Sequence, residues 1–255
     1  MEDIKNLLII QARTGSSRLP DKVMKKLCGK PILQHVIERC IRASYVDKAI
    51  VATTIEEKDD KIENLCKSLK INCFRGNEND VLDRYYQAAL SYHPINVIRV
   101  TSDCPIIDHR IIDQIVEIHV NGQYDYTSNT LEETYPDGLD TEVFTMKALE
   151  EAWKMAVLAS EREHVTPYIK FKGDFIRKSV TRAPSLKEKR WTVDTDTDYE
   201  FIKRIYDALY EEDTDFGMKD VLDYIQKYPE LEKINSGIIR NAGYIKSVNN
   251  DKIVR

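Results

Sequence analysis

Apolar positions along the chain alternate between two periods. Leu7, Leu8, Ile9 and Ile10 form an unbroken run of strand length, as in a strand buried on both faces. After a polar stretch, Ile32, Leu33, Val36, Ile37, Cys40 and Ile41 recur at helical spacing behind Pro31, which suits a helix's first turn, so a helix is predicted over about 31–43. Residues 49–54 predict a second strand, and Ile62, Leu65, Cys66 and Leu69 mark one face of a helix over 56–69. A short strand follows at 71–74. Asp80 then caps a helix carrying Val81, Leu82, Tyr85, Tyr86, Ala88, Ala89 and Leu90. Residues 97–100 predict a fourth strand, and Asp108 opens a helix with Ile111, Ile112, Ile115, Val116 and Ile118 on its apolar side.

The second half is less regular. Residues 124–129 are strand-like, 136–144 join a turn to a short strand, and 148–159 read as helix. Ser160 and Glu163 have capping-box spacing, predicting a helix from Glu161 that Pro167 bends or ends. Residues 175–180 predict a strand, as does the alternation of Trp191 and Val193. Thr197 and Glu200 form a second capping-box pattern, opening a helix to about Leu209, and polar helices follow at 218–227 and 230–234. The tail 235–255 shows no clear period and reads as a loose arm or an intersubunit strap. No internal repeat or low-complexity linker occurs. The alternation of strand and helix predicts an α/β fold with a mostly parallel sheet covered on both faces.

The 255 residues permit one large α/β domain or two small ones. A formal net charge of −5 argues against a nucleic-acid binder. No apolar run is long enough to span a bilayer, and the acidic start over residues 1–5 argues against a signal peptide. The cysteines, Cys28, Cys40, Cys66, Cys73 and Cys104, are odd in number and form no C-x-x-C pair. That disfavours a zinc site or a disulfide framework and favours a reducing cytoplasm.

Against this background the polar loop after the first strand stands out: Gln11-Ala-Arg-Thr-Gly-Ser-Ser-Arg-Leu-Pro-Asp-Lys22. Small residues let the backbone approach a ligand, and successive N–H groups form anion-binding concavities. Arg13 and Arg18 offer planar forks for phosphate, and Lys22 a point charge. The loop reads as a triphosphate cradle or as a solvated basic loop. Its place past the first strand's C-terminal end favours the cradle, because open α/β sheets bind ligands there. Neither the P-loop nor the dinucleotide-binding glycine spacing is present.

Asp103 follows the fourth strand, where either a metal ligand or a turn carboxylate would sit. Asp194 and Asp196 lie at a junction leading into a helix, and Asp198 suits that helix's N-terminus through the dipole. Asp137, Asp140 and Glu142 are candidates for binding the hydroxyls of a polar substrate, or else turn residues and solvated charge. Arg162 and His164 are within reach of a ligand from a neighbouring loop or subunit, although a lone histidine there is more often structural. A cationic cradle with two separated acid sites suggests a nucleoside triphosphate bridged by Mg²⁺, which uses one or two carboxylates beside water and phosphate. Asp103 and Asp194 would share the ion, with Asp196 as a second ligand or a supporting partner. Nucleotidyl transfer depends mainly on positioning and charge neutralisation.

These residues carry a resemblance. The 11–22 loop with Gly29-Lys-Pro31 resembles the sugar nucleotidyltransferases, and more narrowly the cytidylyltransferases that activate acidic sugars, of the acylneuraminate and 3-deoxy-octulosonate types. Val81-Leu-Asp-Arg-Tyr-Tyr86, Thr101-Ser-Asp-Cys-Pro105, Pro136-Asp-Gly-Leu-Asp140 and Arg162-Glu-His-Val-Thr-Pro167 narrow it to the spore-coat polysaccharide type. The resemblance implies a Rossmann-like nucleotide-diphospho-sugar transferase fold over 1–235, with a C-terminal tail at 236–255. It makes 127–170 the acceptor side and a candidate dimerisation segment. It also implies a cytoplasmic homodimer using CTP, Mg²⁺ and an acidic sugar or sugar phosphate, with no nucleic-acid or membrane partner. Arg13, Ser16, Arg18 and Lys22 would hold the triphosphate, with Ala12 and Gly15 against the nucleotide through their backbones. Lys22 would neutralise charge in the transition state, with Arg13 and Asp103 beside it as catalytic residues. Asp103 and Asp194 would hold the metal, with Asp196 the further candidate. Asp137, Asp140, Glu142, Arg162 and His164 would face the acceptor. The alternative is a metal-dependent glycosyltransferase of the same fold, since Asp194-Thr-Asp196 matches the D-x-D metal pattern of such enzymes.

Overall fold

A computed structural model describes residues 4–16 and 18–255. Ser17, one of the two cradle serines, and the acidic start at 1–3 lie outside the described residues. The elements are β1 (Asn6–Gln11), β2 (Lys26–Leu27), β3 (Lys30–Pro31), α1 (Ile32–Cys40), β4 (Lys48–Thr54), α2 (Asp60–Leu69), β5 (Asn72–Gly76), α3 (Val81–Leu90), β6 (Asn96–Thr101), α4 (His109–Gly122), β7 (Tyr126–Ser128), β8 (Glu142–Thr145), α5 (Met146–Met155), α6 (Ala159–His164), α7 (Pro167–Phe171), β9 (Arg177–Ser179), α8 (Asp196–Leu209), α9 (Met218–Lys227) and α10 (Ala242–Asn249).

Seven strands form one sheet in the order β5-β4-β1-β6-β8-β7-β9, and β2 and β3 form a separate small hairpin. β1, β4, β5 and β6 run parallel, β8 is antiparallel to both β6 and β7, and β9 is parallel to β7. This is the mostly parallel mixed sheet expected of the α/β class. Helices cover both faces. Leu8 and Ile10 of β1 pack with α1, α2, α4, α8 and α9, whereas Leu7 and Ile9 pack with α3, α5 and α7. Burial on both faces is why β1 reads as an unbroken apolar run. The chain moves outward from β1 through β4 to β5, then returns to β6 on the other side of β1. The strand order therefore reverses between β1 and β6, which is where such sheets bind ligands.

Several boundaries differ from expectation. The Ser160–Glu163 box does not form. α6 starts at Ala159, the Glu161 carboxylate accepts from the N–H groups of Val157 and Leu158, and the Ser160 hydroxyl donates to Asp251 instead. Pro167 opens a new helix, where its missing N–H costs nothing. Residues 191–193 are extended but belong to no strand. Their N–H groups serve loops, Trp191 donating to the Asp137 carbonyl at 2.6 Å and Val193 to the Asp103 carbonyl at 2.8 Å. α8 is capped two residues earlier than expected, by Thr195 and Asp198 in reciprocal hydrogen bonds. The tail is neither periodless nor loose: it forms α10 and packs on its own chain through polar contacts.

Candidate active site

The site begins at the paired ends of β1 and β6. Gln11 is in register with Thr101 on one side and Ala52 on the other, and the Ser102 N–H donates to the Gln11 carbonyl at 3.0 Å. The loop after β1 and the loop after β6 therefore leave the sheet side by side. Ala12 is buried and donates to the Ala52 carbonyl at 3.1 Å. Thr14 anchors the cradle, since its N–H and hydroxyl both donate to Asp59 Oδ1, at 2.8 and 2.6 Å. The N–H groups of Ser16 and Asp21 both donate to the Thr14 carbonyl, folding the loop back on itself. The Ser16 hydroxyl accepts from the Leu19 N–H at 3.3 Å. At Gly15 an added Cβ would come within 3.0 Å of Lys58 Nζ and 3.2 Å of Glu78 Oε1, the tips of two flexible side chains.

This fold-back delivers Lys22 to the acids. Lys22 Nζ donates to Asp103 Oδ2 and Asp194 Oδ1, each at 2.7 Å. Asp194 is brought in by the extended segment before it, because Thr192 and Val193 both donate to the Asp103 carbonyl. Arg18 reaches Asp194 Oδ2 at 2.9 Å, and Arg190 reaches the same oxygen at 3.2 Å. Burial works against charge on Lys22, but the two carboxylates outweigh it and hold the ammonium pKa above its ordinary value. Burial likewise pushes Asp103 upward, and the Lys22 charge more than offsets this, holding its carboxyl below the usual range. Four charged side chains from residues 18, 22, 103 and 194 thus meet at the switch point.

Asp196 does not join them. Its side chain is 83% exposed and lies 3.8 Å from Lys25, so Asp194 and Asp196 do not converge on one point as a D-x-D metal pair would. Arg13 is half-buried and makes no hydrogen bond or ion pair among the described residues. Arg84 is fully buried on α3, donates through Nη1 to the Asn77 carbonyl, and has Nε and Nη2 without partners among the described residues. Burial and the nearby Arg13 charge both press the Arg84 pKa down.

The acceptor-side candidates divide. Asp137 is bound by Arg190 Nη1 at 2.8 Å, and Asp140 by Arg240 Nη2 at 2.9 Å. Burial and the neighbouring Asp140 carboxylate push Asp137 up to about 7, and burial raises Asp140 as well. Glu142 is saturated: it accepts from Arg99, from Tyr126 at 2.5 Å, from Thr166 at 2.8 Å, and pairs with Lys170 at 2.8 Å. Arg162 is buried and forks onto Asp80, with Nη2 at 2.6 Å, while Nη1 donates to the Trp153 carbonyl. It ties α6 to the cap of α3 and is engaged there. His164 pairs with the Ser247 hydroxyl at 3.0 Å and packs edge-on against Tyr244, and burial pushes its pKa down to about 4.

Three positions were not singled out from the sequence. Asp59 holds the cradle, Arg190 links Asp194 to Asp137, and Arg240 reaches in from the tail. For Arg190 a signal existed, since it stands four residues before Asp194 in an acid-rich segment. Asp59 and Arg240 meet partners 45 and 100 residues away and had none.

The model of the cytidylyltransferase family matches residues 7–228. The chain is 37% identical over 241 residues to an uncharacterised protein, MJ1063, of Methanocaldococcus jannaschii, covering 92% of this chain and 96% of that one. It is 32% identical over 238 residues to the spore coat polysaccharide biosynthesis protein SpsF of Bacillus subtilis, covering 90% and 97%. The solved structure of a cytidylyltransferase from Leptospira borgpetersenii superimposes with a TM-score of 0.85 at 32% identity, over 93% of this chain and all of that one. With a cationic loop and two aspartates meeting where β1 and β6 part, and with the family match spanning the whole sheet, the chain belongs to the cytidylyltransferase family.

Proposed function

We propose that the protein moves CMP from CTP to a sugar acid or sugar phosphate, releasing pyrophosphate. An acceptor oxygen attacks the α-phosphorus, the bond from that phosphorus to the bridging oxygen breaks, and the acceptor's proton passes to solvent. The observation that carries this reading is Lys22 Nζ, 2.7 Å from both Asp103 and Asp194 beside a loop bearing Arg13 and Arg18. Phosphoryl chemistry of this kind rests on charge neutralisation and positioning. Here the cradle would hold the triphosphate, and Lys22 and Arg18 would turn from the acids to the leaving pyrophosphate.

Mg²⁺ belongs to the same reading. Asp103 and Asp194 come from different segments yet already converge on one cation, and carboxylate oxygens are the hard donors this ion takes. Bound there, it would supply positive charge against the phosphate oxygens. The family supports cytidine as the base, and the name of the SpsF relative supports a role in surface or spore-coat polysaccharide synthesis. We place the enzyme in the cytoplasm as a homodimer. No described helix is long and apolar enough to cross a membrane, and light scattering on the purified chain tests the dimer.

The test is incubation with CTP, Mg²⁺ and a panel of sugar acids and sugar phosphates, read by pyrophosphate release and by mass spectrometry of the CMP or CDP conjugate. Release with one acceptor, lost on adding EDTA, is the expected result. No release with any nucleoside triphosphate across the panel would overturn the reading.

A further inference from the structure

The segment 235–255 lies beyond the family match, which ends at residue 228. α10 buries none of its residues, so apolar burial does not explain why the tail docks. Polar contacts do. Asn235 donates to the Arg190 carbonyl and to Asp198, Asn241 donates to Glu133 at 2.7 Å, Ser247 donates to Glu163 at 2.8 Å, and Asp251 accepts from Ser160. Apart from Asn235, each of these partners lies in 133–140 or in α6, within the segment 127–170 expected to hold the acceptor side. A cavity of about 440 Å³ under the tail touches the ion network at Arg190 and Asn235.

Arg240 is the centre of this docking. Nη1 donates to the Tyr135 carbonyl at 3.1 Å and Nη2 to Asp140 Oδ1 at 2.9 Å. Nε lies 3.5 Å from Glu133 and 4.0 Å from Asp137 Oδ1. Three carboxylates thus surround one guanidinium. Arg190 then links Asp137 to Asp194, which Lys22 holds. Arg240 and Lys22 stand at two ends of one chain of alternating charges. Arg190 binds Asp137 through Oδ2 and Arg240 binds Asp140 through Oδ1. Asp137 Oδ1 and Asp140 Oδ2 accept no hydrogen bond from any described residue.

We propose that Arg240 is a positioning residue for the acceptor, holding the Asp140 carboxylate from the tail and lending positive charge to Asp137, which Arg190 holds, so that their remaining oxygens accept from two hydroxyls of a polyhydroxylated sugar. This rests on the CMP-transfer reading above. An ionised carboxylate accepts at both oxygens, whereas a protonated one spends one oxygen as a donor. Removing the guanidinium leaves buried Asp137 with Arg190 alone and half-buried Asp140 with no hydrogen-bonded cation among the described residues, so the Asp140 carboxylate is free to turn away. A lysine keeps the charge but cannot span Tyr135 and Asp140 as the planar fork does.

The test compares Arg240→Met and Arg240→Lys with the wild-type full chain. Calorimetry with CTP and Mg²⁺ should give an affinity unchanged within about twofold. With the sugar acid or sugar phosphate that wild type turns over, the acceptor KM should rise about tenfold or more in Arg240→Met while the CTP KM holds, with partial recovery in Arg240→Lys. Amides at 133–141 should exchange hydrogen faster in Arg240→Met. An unchanged acceptor KM in Arg240→Met, or an equal loss for CTP and acceptor, overturns the proposal while leaving CMP transfer intact. Wild-type protein that releases no pyrophosphate removes CMP transfer, and this proposal with it.

Discussion

Thr14 and Asp59, 45 residues apart, are joined twice, by the backbone N–H and by the hydroxyl of the threonine, both donating to one carboxylate oxygen. The other oxygen accepts from the Thr54 hydroxyl at the end of β4. The start of the cradle is therefore held from the sheet's neighbouring strand. Asp59→Ala strands the buried Thr14 N–H and the Thr54 hydroxyl, while the Thr14 hydroxyl keeps the Lys58 carbonyl at 3.3 Å. That should cost more than about 1–3 kcal/mol of stability, the penalty for a single orphaned buried donor. CTP binding should weaken as the loop loosens. Asp59→Asn keeps an accepting oxygen and should fall between. Thermal melts and CTP calorimetry on the two variants check this, and a CTP affinity equal to wild type in Asp59→Ala would show the cradle to be held by something else.

That anchor marks the limit of what the chain disclosed in advance. β1 was legible because burial on both faces leaves an unbroken apolar run, and the cradle because its small and cationic residues follow that run directly. The meeting of Lys22 and Asp103 follows from the Gln11–Thr101 register, which sends two loops off the same edge, and Asp194 joins through the bonds of Thr192 and Val193 to the Asp103 carbonyl. Cap positions were misread where two patterns overlap. Thr195–Asp198 and Thr197–Glu200 both fit a capping box. The first forms because Phe201, Ile202, Ile205 and Tyr206 must face the core, and Asp198 must also reach Arg190. Arg162 and Arg240 were beyond local reading, since a long cation's partner is set by tertiary contacts 82 and 100 residues away.

Lys22 occupies the space between two carboxylates, which leads to paired expectations for Lys22→Ala. Turnover should fall about 10²–10³-fold, the usual loss for one preorganised donor at a developing charge. Asp103 and Asp194 would also face each other with only Arg18 and Arg190 to balance them. Millimolar Mg²⁺ without nucleotide should therefore raise the melting temperature of Lys22→Ala more than that of wild type. Melts with and without Mg²⁺ decide the point. Equal Mg²⁺ shifts in the two proteins would mean that these carboxylates do not take up the ion.

His119 offers a pH test of the fold itself. It is buried between Thr127 at 3.0 Å and the Asn96 side chain at 3.2 Å, and Asp125 is the carboxylate that acts on it among the described residues. Burial pushes its pKa down from 6.5 to about 4. The folded state therefore binds fewer protons than the unfolded chain between these values. Its stability contribution is whole above pH 6.5 and is lost as pH falls through the window to about 4. The loss approaches about 3 kcal/mol if each unit counts for about 1.4. Urea unfolding from pH 7 to 4 should show this decline, and His119→Gln should flatten it. An identical pH slope in the variant would assign the decline to other groups, with His164 next in line.

Arg162 separates a structural cation from a ligand-binding one. It is buried, forks onto Asp80 with Nε and Nη2, and gives its last arm to the Trp153 carbonyl, so every guanidinium nitrogen is engaged. Asp80 meanwhile caps α3 through the Asp83 N–H. One pair thus ties the start of α3 to α6 and to the end of α5. Breaking a buried pair by removing one member leaves an uncompensated charge and typically costs about 3–5 kcal/mol. Asp80 keeps some access to water, which places Arg162→Leu toward the lower end, near about 3 kcal/mol. Double replacement of Arg162 and Asp80 should be less than additive, because each single change strands the same partner. Neither change should raise the acceptor KM in the protein that remains folded. Denaturant unfolding of the singles and the double gives the coupling. A large rise in acceptor KM with normal stability would return Arg162 to the substrate side.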